Sequence, residues 1–172
     1  MKRFLLAALG LSVFVGLVGS AWAQGGRGTA KLTLKGKAVS VEFGRPALNG
    51  RTESPLLDQL KPGDFWRLGS NKSTTFSTET DLAFGDVTVP KGDYSLWAQR
   101  QTDGWKLVFN KQHGQWGTQH DPAQDLASAA VKESKAADSA ETVTISLASE
   151  GKGGVLTIQW GHMKLSSSFV AK

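Results

Sequence analysis

The chain has 172 residues, with 20 Lys and Arg against 15 Asp and Glu, a formal net charge of +5 and no cysteine. The lack of cysteine excludes a disulfide scaffold, a C-x-x-C centre and a lipidated N-terminal cysteine. The cationic residues are scattered singly rather than clustered, which argues against a nucleic-acid-binding surface.

Residues 1–23 read as an export signal. Lys2 and Arg3 make a positive start, residues 4–18 an apolar stretch, and Ala21-Trp22-Ala23 an A-x-A cleavage site. The apolar run is broken by glycines and falls short of the ~20 residues of a membrane span. Cleavage after Ala23 leaves 149 residues and, with Lys2 and Arg3 gone, a charge of +3. That length suffices for one domain with a real core. The expectation is an exported protein, periplasmic or secreted, with no membrane span after cleavage. Residues 24–37 are expected to be a flexible N-terminus and first strand, with the Gly-rich segment 24–29 disordered, and residues 38–172 a single β-sandwich domain.

From there the pattern has period two. Leu32 and Leu34 alternate with Lys31, Thr33 and Lys35, and Val39, Val41 and Phe43 alternate with Ser40 and Glu42. Such alternation predicts strands with one buried and one wet face, as in an antiparallel sheet. Gly44-Arg45-Pro46 ends the second strand, because proline cannot donate to a ladder. Asn49-Gly50 is a strong turn signal. Residues 54–60 predict a helical turn or two with Ser54 as cap and Pro55 at the first position, and residues 61–64 a turn.

Residues 64–76, DFWRLGSNKSTTF, concentrate more special residue types than any other stretch. An aromatic pair stands beside Arg67, then Gly69 and Asn71 in a turn, then a hydroxyl-rich run entering a strand over 74–80. Short strands follow at 82–84 and 87–89, then a turn at 90–93. Residues 94–100 and 105–111 form the clearest hairpin. Residues 112–122 read as a long loop, and 123–140 as either helix, on Ala, Lys and Glu content, or flexible linker. A second hairpin, 142–148 with 155–160, and a strand at 163–170 close the chain. About nine short strands with little helix indicate an all-β fold, an antiparallel β-sandwich.

The ordered set Gly44-Arg45-Pro46, Gly50-Arg51, Trp66-Arg67-x-Gly-x-Asn71, Thr74-Thr75-Phe76, Gly92-x-Tyr94-Ser95-Leu96, Asn110-Lys111 and Gln115-Trp116-Gly117 resembles the bacterial DUF2911 family, a domain of unknown function, from Val39 to the end. The resemblance implies an exported all-β domain and brings no established activity, substrate or cofactor. Three positions depart from the family's pattern. Lys72 stands where an acidic residue is usual and His120 where Tyr is usual. The apolar strand at 126–131 is diluted by Ala and Ser.

No G-x-S-x-G, H-E-x-x-H or phosphate-cradling glycine loop is present. His113, His120 and Asp121 share a loop, but their spacing matches no zinc pattern, so they read as solvated and no metal or cofactor is expected. Of Trp66, Trp97, Trp105, Trp116 and Trp160, most should fill the core, with Trp97 and Trp116 exposed to a sugar-like ligand. Arg45, Arg51 and Arg67 sit beside turns and aromatics. There a guanidinium fork can hold a carboxylate or phosphate, or else be clamped internally by Glu42, Asp64 or Asp93. The expected ligand-binding set is therefore Arg45, Arg51, Arg67, Asn71, Thr74 and Trp116, with no catalytic residue assigned. The reading is a non-catalytic binding or envelope-interaction module for an anionic or sugar-like small molecule or envelope component. The alternative is a hydrolase or lyase whose Arg67, Asn71 and Thr74 hold an oxyanion, with His120 or Asp121 as base. A third is a purely structural domain that assembles with envelope partners.

Overall fold

A computed structural model describes residues 26–172. The expected signal, and the mature start at Gln24, lie outside the described residues.

Among the described residues, eleven strands form two antiparallel sheets. In the first, β1 (Arg27–Leu34), β2 (Lys37–Gly44), β4 (Thr75–Thr78), β7 (Gly92–Arg100), β8 (Trp105–Asn110) and β9 (Asp125–Ala130) lie side by side, with the two-residue β3 (Phe65–Trp66) also on β7. The second runs β10 (Lys132–Glu150), β11 (Gly153–Ala171), β5 (Leu82–Phe84), β6 (Val87–Val89). The all-β sandwich expectation holds. The strands are more numerous than nine, and two of them, β10 and β11, run for 19 residues each.

Alternation explains the core. Val39, Val41, Phe76, Leu96, Leu107 and Phe109 of the first sheet meet Leu156, Ile158, Leu165 and Phe169 of the second, all buried. Four phenylalanines bridge the layers: Phe84 on β5 lies 5.0 Å from Phe169 and 5.1 Å from Phe109, and Phe109 lies 5.2 Å from Phe76. Burying one such ring is worth ~1.5–3 kcal/mol. The β7–β8 hairpin forms as expected, from Ser95↔Asn110 to Arg100↔Trp105, with Gly104 at φ +88° in its turn.

Three local expectations are corrected. Residues 27–29, expected to be disordered, belong to β1 and pair with 42–44. Residues 123–140, expected as helix or linker, are a short 3-10 turn (Pro122–Gln124), then β9 and the first part of β10. Poor β propensity is overridden there because β8 and β11 supply the ladders. The helical turn α1 (Ser54–Leu57) has Glu53, not Ser54, at its N-cap, and the Ser54 hydroxyl bonds the Asp58 carboxylate instead.

What positions the site is a break in one strand. β3 and β4 lie along the same edge of β7, through Phe65↔Gln99 and Trp66↔Ala98, then Thr75↔Ser95 to Thr78↔Gly92. Between them, residues 67–74 leave the ladder and return with Leu96 N–H donating to the Thr74 carbonyl at 2.8 Å. The detour puts Leu68 at φ +54° and Asn71 at φ +63°. A left-handed leucine costs about 1–2 kcal/mol. Leu68 is fully buried, which returns ~1.5–3 kcal/mol, so burial carries the detour.

Candidate functional site

The detour docks on two neighbours. Gly44, at the end of β2, packs directly against Ser70, and a side chain there would collide with the Ser70 backbone. This is why glycine precedes Arg45-Pro46. On the other side the loop over 112–121 pairs with the detour. Ser73 N–H donates to the Gln115 carbonyl at 2.9 Å, Gly117 N–H donates to the Asn71 carbonyl at 2.7 Å, and Lys72 bridges Trp116. A Cβ on Gly117 would lie 2.8 Å from the Asn71 carbonyl oxygen and 3.0 Å from Arg67 Cδ, so the arginine stem lies across a position that only glycine fits.

These contacts leave a cleft of about 510 Å³. Phe65, Trp66, Trp97 and Trp160 line it together with Arg67 and His120, and leucines from α1 and the residues after it close one side. Its size falls in the usual small-ligand range of ~300–1,000 Å³. Trp66 and Trp160 stack at 5.9 Å.

Arg67 is half-buried and its guanidinium makes no hydrogen bond or ion pair with any described residue. The two ion pairs among the described residues are Arg27–Glu42 and His120–Asp125. The internal clamps considered for Arg67 are otherwise engaged or placed: Glu42 holds Arg27, Asp64 accepts from Lys61 N–H at 2.8 Å, and Asp93 sits in β7 opposite Ser77.

His120 is the second polar group of the cleft. Its ring lies 4.0 Å from Phe65 and 4.8 Å from Trp97, and its side chain is only 10% exposed. Nε2 meets Asp125 Oδ1 at 2.8 Å, and the same oxygen accepts from Asn110 Nδ2 at 2.7 Å. Asn110 is fully buried and donates also to the Asp121 carbonyl at 2.7 Å. A register shift between Phe109 and Asn110 sets Asp125 opposite Asn110. Bulges of this kind commonly re-aim side chains beside sites.

Of the six residues expected to bind, only Arg67 lines the cleft. Asn71 and Trp116 lie on the paired loops beside it, exposed to solvent. Thr74 is fully buried, its hydroxyl shared between the carbonyls of Arg67 (3.3 Å) and Leu68 (3.2 Å), where it closes the detour. The other two arginines are used elsewhere. Arg51 Nε donates to the Leu48 carbonyl at 2.9 Å, and Arg45 donates to Thr142 Oγ1 at 3.0 Å. Trp97, expected to be exposed, is buried and donates to Ser95 Oγ at 2.9 Å. His120 is a packed, hydrogen-bonded group rather than a solvated one. Asp121 caps the 3-10 turn, accepting from Ala123 N–H at 3.0 Å. The Phe65–His120–Trp97 cluster was not visible in the sequence. Its one sequence signal was the aromatic pair Phe65-Trp66, which the structure sets beside Gln99 and Ala98 of β7.

A second cleft, about 490 Å³, lies beyond Leu57, which lines both. It mixes carboxylates (Glu53, Asp58, Glu133) with cations (Arg100, Lys135). Arg100 also stacks over Trp105 at 5.0 Å.

The profile of the family described as "Protein of unknown function (DUF2911)" matches residues 26–169, so the chain belongs to that family. No curated protein and no solved structure matches the chain.

Proposed function

We propose that this DUF2911 protein is a non-catalytic binding module of the bacterial cell envelope, and that its aromatic cleft takes a small anionic ligand held by Arg67. One observation carries the reading: an arginine with no partner among the described residues lines a cleft whose other walls are largely aromatic and aliphatic. The Arg67 guanidinium nitrogens are not among the polar atoms sealed from solvent without a partner, so the fork is open to an acceptor. A carboxylate or phosphate supplies the missing bidentate partner. The rings give the ligand a flat apolar face to lie against. Export rests on the signal features of residues 1–23, and the matching check is the intact mass of secreted material, expected to begin at Gln24.

The test is a thermal melt with a panel of small carboxylates and phosphates. A ligand present at a hundred times its Kd raises stability by ~2.7 kcal/mol. That rise is expected in the wild type and absent in Arg67→Gln. Equal shifts in both proteins would remove Arg67 from the account.

A hydrolase or lyase is the second reading, favoured by the His120–Asp125–Asn110 chain. In it Asp125 orients the imidazole and Arg67 faces developing negative charge. Thr74 has no part in this version, because its hydroxyl is bonded to the backbone. Turnover of a bound acid that is lost in His120→Phe would favour it over simple binding.

A further inference from the structure

The hydrogen-bonding pattern around His120 narrows the ligand class, and this step rests on the cleft being a binding site. Asp125, as a carboxylate, can only accept, so the His120 nitrogen facing it carries the proton. Asn110 fixes that carboxylate through an amide which is itself buried and anchored to the Asp121 carbonyl. In the neutral ring the other nitrogen, Nδ1, is then left with a lone pair. Nδ1 has no partner among the described residues. The polar side-chain atoms sealed from solvent without a partner are the indole nitrogens of Trp105 and Trp160, and Nδ1 is not among them. It is therefore not sealed from solvent, and it belongs to a ring that lines the cleft and is packed against Phe65 and Trp97.

The cleft thus presents one cationic fork, one fixed hydrogen-bond acceptor and several aromatic faces. Its complement carries an anionic oxygen pair, a hydroxyl that donates, and an apolar C–H face. We infer that the ligand is a hydroxy acid of the sugar-acid type, its carboxylate on Arg67, a hydroxyl donating to His120 Nδ1, and the ring face against the aromatics. An acid without the hydroxyl leaves Nδ1 dry and unpaired. A neutral sugar leaves Arg67 without an acceptor. Losing a neutral hydrogen bond should weaken binding by about two- to tenfold and losing one to a charged group by about ten- to a hundredfold.

The experiment titrates the intrinsic tryptophan fluorescence of the whole protein with D-glucuronate, cyclohexanecarboxylate and D-glucose. Glucuronate is expected to bind about two- to tenfold tighter than cyclohexanecarboxylate, and tighter than glucose by a larger factor. His120→Phe keeps a ring between Phe65 and Trp97 but removes Nδ1. It should bring glucuronate down to the level of cyclohexanecarboxylate and leave the latter unchanged. Asp125→Ala is the companion variant. It removes the oxygen that holds the ring proton on Nε2, so the tautomer and the ring orientation are no longer fixed, which should weaken glucuronate similarly without touching the cleft wall. Equal affinity for the two acids in the wild type overturns the hydroxy-acid inference and leaves the Arg67 reading standing. No binding of either acid overturns both.

Discussion

At the scale of the residue, the cleft turns on two positions, Arg67 and Gly117. Arg67 has no internal carboxylate among the described residues to strand, so Arg67→Gln should alter stability by no more than about 0.5 kcal/mol, as ordinary surface changes do. Chemical denaturation checks this. A loss of ~3–5 kcal/mol, the cost of breaking a buried ion pair, would mean that the guanidinium is a structural clamp after all. Gly117→Ala makes the opposite experiment. The added methyl meets a carbonyl oxygen at 2.8 Å and Arg67 Cδ at 3.0 Å, so it should displace the arginine and weaken ligand binding at least as much as it lowers the melting temperature. Among the six residues picked from the sequence, composition and turn chemistry could bring out arginines beside turns but not which of them were already bonded. Arg51 and Arg45 find their partners at Leu48 and Thr142. The Thr142 partner is far away in the chain and could not be read from local pattern.

At the scale of the element, the interrupted strand β3–β4 is the feature that builds the site. Thr74 closes it, and Thr74→Val should cost ~1–2 kcal/mol, since it leaves the Arg67 and Leu68 carbonyls without their hydroxyl in a buried setting. Equilibrium unfolding measures it, and an unchanged midpoint would show that the detour closes without the hydroxyl. The detour was foreshadowed by Gly69 and Asn71, but its return to the same edge of β7 was not, because register between distant strands is invisible to local periodicity. The segment 123–140 departs from its local pattern for a different reason. Its Ala, Ser, Lys and Glu content is that of a helix or linker, yet β9 and β10 are edge strands, where polar, charged residues protect an open edge. β7 also carries a pH signal. Tyr94 donates to the Pro90 carbonyl at 2.8 Å, and burial, with Asp81 and Asp93 adding repulsion, raises its phenol above the ordinary 10.0. Unfolded Tyr94 therefore loses its proton first. Stability that is complete below about pH 10 should fall as pH rises through and beyond that value. Tyr94→Phe should flatten the fall above about pH 10, as followed by chemical denaturation at a series of pH values.

At the scale of the whole molecule, the sandwich itself was legible. Alternation at 39–43 and 94–100, and the Gly104 and Asn49-Gly50 turns, all point to antiparallel sheets, and the two sheets close over the phenylalanine cluster. What joins distant parts into a cleft was not legible: Phe65 and Trp66 from β3, Trp97 from β7, His120 from a loop and Trp160 from β11 meet only because the layers stack. That geometry also allows the account to be tested by position. Trp66, Trp97 and Trp160 line the cleft, Trp105 lines the second one, and Trp116 is 51% exposed on the loop outside. Their indole N–H signals, assigned by single Trp→Phe substitutions in a ¹H–¹⁵N spectrum, report which surface a carboxylate ligand occupies. Titration with D-glucuronate is predicted to shift the Trp66, Trp97 and Trp160 signals together, with Trp105 unmoved, and to shift none of them in Arg67→Gln. Shifts confined to Trp105 or Trp116, or shifts that persist in Arg67→Gln, would contradict the placement of the ligand on Arg67 in this cleft.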